Sequence, residues 1–257
     1  MTTRAGITEI LNLTNRAYGR PGPFRRTDPV DEIVRTILSQ NTNDTNSLAA
    51  FAVLKRNFKT WEGLLNAPTN KIAALIKHAG LANIKAARIK EALIEIKRRE
   101  GKVSLANLTR LDAGSALEYL RSIKGVGPKT AACVLLFSFG KPVMPVDTHI
   151  FRVTKRLGLI GPKVGIEEAH ELLTALVPKD LTPRRGQSQC KRPCSGSSRD
   201  CQARDLIYEF HLGIIEHGRK TCRALHPRCG ACVLYGLCRF RDKSKFKGSQ
   251  IDKKSDR

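Results

Sequence analysis

A chain of 257 residues with 41% hydrophobic and only 5% aromatic side chains is long enough for one large domain or two small ones, each with its own core. Its 46 Lys and Arg against 23 Asp and Glu leave a formal net charge of +23. That excess calls for a polyanionic partner, nucleic acid ahead of an acidic membrane or a ribosome, with DNA versus RNA left open. The longest apolar run, Ala131 to Phe139, is far short of the roughly 20 residues that cross a bilayer, and the opening MTTRAGITEI has no signal-peptide core. A cytoplasmic, nucleoid-associated protein is expected, or a nuclear one if the source has a nucleus.

Apolar residues three and four apart predict helices over Asp31–Ser39, Thr45–Phe58, Asn70–Ala79, Lys85–Glu100 and Ala113–Ile123. Pro, Gly, Asn and Thr punctuate them, as in Ala67-Pro68-Thr69-Asn70. Further helices are expected over Ala131–Phe139, directly after Asp147, over Glu167–Val177 and over Leu206–Ile215. Nothing alternates with period two for long enough to build a sheet, so the fold class is all-α. Residues 182–205 hold almost no large apolar side chain, many Arg and Ser, and Cys190, Cys194 and Cys201. Such a segment cannot bury enough surface to offset its ordering entropy, so a disordered insertion is expected there. Residues 241–257 are polar and mostly basic, and a flexible tail is expected.

Three constellations carry chemistry. The first is Ile123-Lys124-Gly125-Val126-Gly127-Pro128-Lys129-Thr130. One helix runs into Gly-Val-Gly and the next starts at Pro128, where proline suits the first helical position. The glycines open backbone angles closed to other residues and allow close approach to a ligand, and the amides of a new helix start favour a phosphate. This is a helix-hairpin-helix device for gripping a DNA backbone without reading sequence, although a Gly-x-Gly turn alone also fits a plain helical corner. Lys129 lies in the first turn of the second helix. It is a solvated charge or a phosphate contact, or else an amine made neutral by the helix N-terminus and burial and so able to act as a nucleophile.

Second, Asp147 stands eighteen residues after Lys129 and directly before an apolar-periodic helix. It is placed to be an N-cap, and a carboxylate fixed in that way can also stabilise a developing cation. His149 has no second histidine at ligand spacing and is read as structural. Third, Cys222, Cys229, Cys232 and Cys238 form C-x6-C-x2-C-x5-C. A reducing compartment disfavours disulfides, so four close thiols read as one metal site, for which either Zn²⁺ or a [4Fe–4S] cluster is suitable. The spacing lacks the paired knuckles of common zinc modules and favours iron–sulfur. Cys133 is expected in the core; Cys190, Cys194 and Cys201 receive no role.

Together these residues resemble the endonuclease III family of helix-hairpin-helix DNA glycosylases. The match rests on IKGVGPKTA, VDTHIFRV and the cysteine loop, with further agreement in ILSQNTNDTNS, AGLANIKAARIK and FHLGIIEHGRKTC. The resemblance implies a two-lobed fold: a six-helix barrel with the hairpin over residues 28–141, and an iron–sulfur cluster lobe from 1–27 with 142–240. It implies a monomer acting on double-stranded DNA that contains damaged bases or abasic sites, and a [4Fe–4S] cluster on Cys222, Cys229, Cys232 and Cys238. Gly125, Val126 and Gly127 would grip the backbone, while Gln40, Asn41 and Leu81 would fill the space left by a flipped nucleotide. The family places Gln where this chain has Asn41, one methylene shorter, with Gln40 beside it. Lys129 would attack the sugar C1′ and form a Schiff base, Asp147 would help deprotonate it, and β-elimination would cut the strand 3′ to the abasic sugar. Relatives that remove adenine or mismatched thymine carry other residue types at the lysine, so Lys129 implies a lyase with a preference for oxidised pyrimidines. The alternatives are a monofunctional mismatch glycosylase and a non-catalytic DNA clamp.

Overall fold

The computed structural model describes residues 4–176 and 198–248. Among the described residues there is no strand, and no helix is long and apolar enough to cross a membrane. The chain divides into two compact units, Arg25–Lys141 and Met1–Phe24 with Pro142–Arg257.

The first helix, α1 (Arg4–Tyr18), belongs to the second of these units. The other unit begins with α2 (Pro29–Ser39), whose N-cap Asp28 accepts from the amides of Val30 and Asp31 and which carries Pro29 in its first turn. Ile33, Val34, Ile37 and Leu38 on its inner face are fully buried, each contributing about 1.5–3 kcal/mol of transfer free energy. Next come α3 (Asp44–Asn57), capped by Asn43, then α4 (Trp61–Leu65), capped by Thr60, α5 (Thr69–Leu75), and a 3-10 turn at Lys77–Ala79. The short α4 was not foreseen, because five residues carry too little periodicity to register. The long α6 (Ala82–Glu100) packs on α2, α4 and α5 through Ala86, Ile89, Leu93 and Ile96. Then follow α7 (Ala113–Arg121), capped by Asp112, and α8 (Pro128–Cys133).

The helix expected over Ala131–Phe139 changes character midway. After Cys133, which is buried in the core, Val134–Phe139 winds as a π-helix and ends at Gly140 in the left-handed region, φ 66°. The wider turn leaves backbone carbonyls available: Phe137 accepts from the Thr27 amide at 3.0 Å, which ties the entry of α2 to this segment.

Lys85 is 1% exposed, and its ammonium donates to the carbonyls of Leu38 and Ala79, each at 2.7 Å. Burial pulls its pKa below the ordinary lysine range. Leaving either carbonyl dry and unbonded would cost about 1–3 kcal/mol.

In the second unit, α9 (Thr148–Leu157), α10 (Ile166–Ala175) and α11 (Ser198–Lys220) follow, with α11 packed on α1 and α9. Residues 198–205, expected within a disordered insertion, form the first turns of α11. The segment has more to bury than its composition suggests: Cys201 is 8% exposed and Arg204 is 6% exposed, the latter lying 4.4 Å over the Phe24 ring. Cys201 is disulfide-bonded, against the expectation of free thiols, and the other five described cysteines are free. The redox argument concerns the compartment and not which thiols a fold brings together. Residues 182–197, with Cys190 and Cys194, lie outside the described residues. The expected flexible tail is likewise a 3-10 turn over Arg241–Phe246, with Phe240 and Phe246 stacked at 6.4 Å; residues 249–257 lie outside the described residues.

Candidate active site

In the Arg25–Lys141 unit, the hairpin is a tight corner between α7 and α8. The amide of Val126 donates to Ile123 O at 3.0 Å, and that of Ala131 to Gly127 O at 3.0 Å. Gly125 has φ +89°, where an L side chain is strained, and a β-carbon there would stand 3.4 Å from Arg88 O. Val126 turns inward, 4% exposed, and anchors the corner, while Gly127 is exposed at the N-cap of α8. Glycine is therefore required at 125 by its φ, while Gly127, with an ordinary φ of −82° and open space beside it, leaves the backbone exposed at the helix start.

Lys129 is the second residue of α8 and half-buried. Glu32 on α2 accepts from the Thr27 hydroxyl at 3.2 Å, and the same hydroxyl is 3.0 Å from Ser138 Oγ on the π segment. Burial pushes the Glu32 carboxyl above its usual range, while the Thr27 bond and then the charges of Lys129 and Arg35 pull it back down. Sequence reading missed this half-buried acid within the field of Lys129; the signal was a Glu directly before the apolar run Ile33-Val34.

Asn41 and Leu81 sit in turns with left-handed backbone, φ 51° and φ 49°. Both are exposed, Leu81 by 50%, and Gln40 Oε1 accepts from Arg88 at 2.7 Å. All three residues belong to the same unit as Lys129.

In the other unit, Asp147 is the N-cap of α9: its Oδ1 accepts from the Ile150 amide at 2.7 Å. Two buried histidines that sequence reading passed over fix the approach to it. His170 Nδ1 bonds Met144 O and His211 Nδ1 bonds Pro145 O, each at 3.0 Å, which makes Nδ1 the protonated nitrogen of both rings. His149 is 3.1 Å from an Arg152 nitrogen, in keeping with a structural role.

The C-terminal half of α9 grips the cysteine loop. Arg152 donates to Cys222 O at 3.0 Å and Gly218 O at 2.9 Å, and Arg156 donates to Cys222 Sγ at 3.3 Å and Arg223 O at 2.7 Å. Cys222, Cys229, Cys232 and Cys238 all line one small space that is partly open to solvent. Burial raises the Cys229 thiol and pushes that of Cys232 up to about 11. Beside Cys232, His217 is pulled down to about 4, by burial first and then by the Arg152 charge, and Tyr18 and Thr221 share a hydroxyl bond at 2.8 Å. Among the described residues no three His, Cys, Asp or Glu side chains are grouped as a single-ion site. Gly230 lies so close to the 3-10 turn at 241–246 that a β-carbon would meet Lys247 O at 2.2 Å.

The model of the HhH-GPD superfamily of base excision DNA repair proteins matches residues 34–179. The chain is 32% identical to an endonuclease III of Thermotoga maritima, over 86% of this chain and 87% of that one. The chain belongs to the endonuclease III family. It is also 38% identical to a putative DNA glycosylase of Arabidopsis thaliana, over 59% of this chain, and spans about half (52%) of that protein. A solved structure of a non-covalent endonuclease III–DNA complex shares the fold, with TM-score 0.71 and 23% identity over 95% of this chain and 98% of that one. The protein is thus an endonuclease III-type DNA glycosylase of base excision repair, and its all-α fold is that of the family.

Proposed function

We propose that this family member is bifunctional: it removes oxidised pyrimidines from duplex DNA and cuts the strand 3′ to the resulting abasic site, acting as a monomer. Lys129 is the nucleophile. Its amine attacks C1′ of a flipped nucleotide and the N-glycosidic electron pair leaves with the protonated base; the C1′–O4′ bond of the resulting aminal then breaks, O4′ taking up a proton as the sugar ring opens, to give a Schiff base between Nζ and C1′. Loss of a C2′ proton then expels the 3′ phosphate by β-elimination, and water releases Lys129. Asp147 takes the amine proton and stabilises the cationic sugar. Gly125 and Gly127 hold the DNA backbone by main-chain amides, Val126 shapes that corner from inside, and Gln40, Asn41 and Leu81 occupy the vacated stack.

The observation that carries this reading is the station of Lys129, half-buried in the first turn of α8 directly behind an open glycine N-cap, in a chain of this family. A helix start disfavours the ammonium, which is the state a nucleophilic amine must leave. Borohydride reduction on an abasic duplex tests it: wild type gives a covalent protein–DNA adduct and Lys129→Ala gives none. An adduct that persists in Lys129→Ala sinks the assignment.

Cys222, Cys229, Cys232 and Cys238 would hold a [4Fe–4S] cluster, a reading supported by all four thiols lining one space and by a spacing that lacks the paired knuckles of common zinc modules. Such a cluster, when bound, supplies a compact anionic centre that fixes the loop. The purified protein should be brown; a colourless protein with stoichiometric zinc would refute this.

A further inference from the structure

The turns carrying Asn41 and Leu81 share one buried support. Lys85 heads the apolar stripe of α6, and its ammonium bonds Leu38 O and Ala79 O at 2.7 Å each. Leu38 lies in the last turn of α2, where carbonyls have no partner within the helix and the dipole is negative, so the ammonium caps α2. Ala79 ends the 3-10 turn that precedes Gly80 and Leu81. Asn41 follows the first acceptor by three residues and Leu81 follows the second by two. Both have positive φ, a conformation that a β-carbon disfavours and that persists only where its surroundings over-determine it. One turn along α6, Arg88 adds a bond to Gln40. The result is an apolar side chain, Leu81, held 50% exposed on strained backbone.

We propose that Lys85 is a positioning residue for lesion recognition: its buried ammonium locks the Asn41 and Leu81 turns together, so that both side chains are presented to the base stack in one fixed arrangement. The inference rests on the glycosylase reading above. An apolar side chain at 85 leaves both carbonyls without their donor, and both turns relax toward right-handed backbone. Lys129 is untouched by that change.

The test uses full-length protein and a duplex bearing a tetrahydrofuran abasic analogue opposite 2-aminopurine, whose fluorescence reports disruption of stacking at the orphan base. In wild type the signal rises on binding. Lys85→Met should lose most of that rise, and Lys85→Gln, which keeps a donor for one carbonyl and guards against a folding failure of the first variant, should lose part of it. Trapping on a single-stranded abasic oligonucleotide, which has no opposite base to engage, should fall less than about twofold in both. Duplex excision should fall about tenfold or more in Lys85→Met, with no further loss when it is added to Asn41→Ala/Leu81→Ala, because the substitutions act through the same groups. A wild-type fluorescence rise in both variants, equal falls on single-stranded and duplex DNA, or multiplicative effects in the combined variant would each overturn the proposal. The fluorescence arm needs no chemistry, so it judges Lys85 even if wild type fails to trap, a result that would instead remove the lyase reading.

Discussion

The two units position their key side chains by different means. Lys129 stands on helices packed through buried aliphatic side chains, with Lys85 and the Thr27–Glu32–Ser138 contacts as polar stitches. Asp147 stands on α9, whose far half donates to the backbone and a thiol of a loop that carries four cysteines lining one space. The first arrangement is complete in the polypeptide; the second would depend also on the cluster proposed for the four thiols. If that cluster is bound, side chains of one molecule are positioned by ordinary core packing in one part and by a bound group in another.

Three substitutions sharpen that contrast. The largest effect is expected from Gly230→Ala, whose β-carbon has no room beside Lys247 O. The visible colour should be lost, and hydrogen exchange at the Ile150 amide should quicken by an order of magnitude or more, while the Ala131 amide keeps its protection. Uniform deprotection of both would show that the units do not differ in this way. Asp147→Asn should come next. Asn caps helices as well as Asp does, so the melting temperature should hardly move, while excision falls about tenfold or more; an unchanged rate favours a clamp without catalysis.

The smallest effect is expected from Glu32→Gln. Burial raises the Glu32 pKa in the folded protein, so the folded state retains this proton where the unfolded chain has released it. Stability contributed at this site therefore falls as pH rises from the unfolded value, near 4.5, through the folded one. Glu32→Gln should raise the urea midpoint at pH 7 and lose that advantage at pH 4. A midpoint gain of equal size at both pH values would point to packing instead.

Much of the architecture was legible because helices announce themselves by periodicity, and Asp147 bonds the amide that its position as an N-cap predicts, as Asp28, Asn43 and Asp112 prove to do at other helix starts. The hairpin was legible because only glycine suits φ +89° at 125. The supports were harder to read. Lys85 looks solvated by residue type, and the clue was its place on the stripe continued by Ile89 and Ile96. His170 and His211 bond carbonyls far from them in sequence, a pairing that one sequence does not display. The first turns of α11 and the turn after Phe240 were missed because composition counts apolar residues and not the aromatic and guanidinium contacts that order them.

Helix α9 has its carboxylate at one end and its loop-gripping arginines on the other half, over ten residues, or about 15 Å of rise. The two ends share one run of helical backbone, so a rearrangement of the cysteine loop that displaced Arg152 and Arg156 would be felt at the aim of the Asp147 carboxylate.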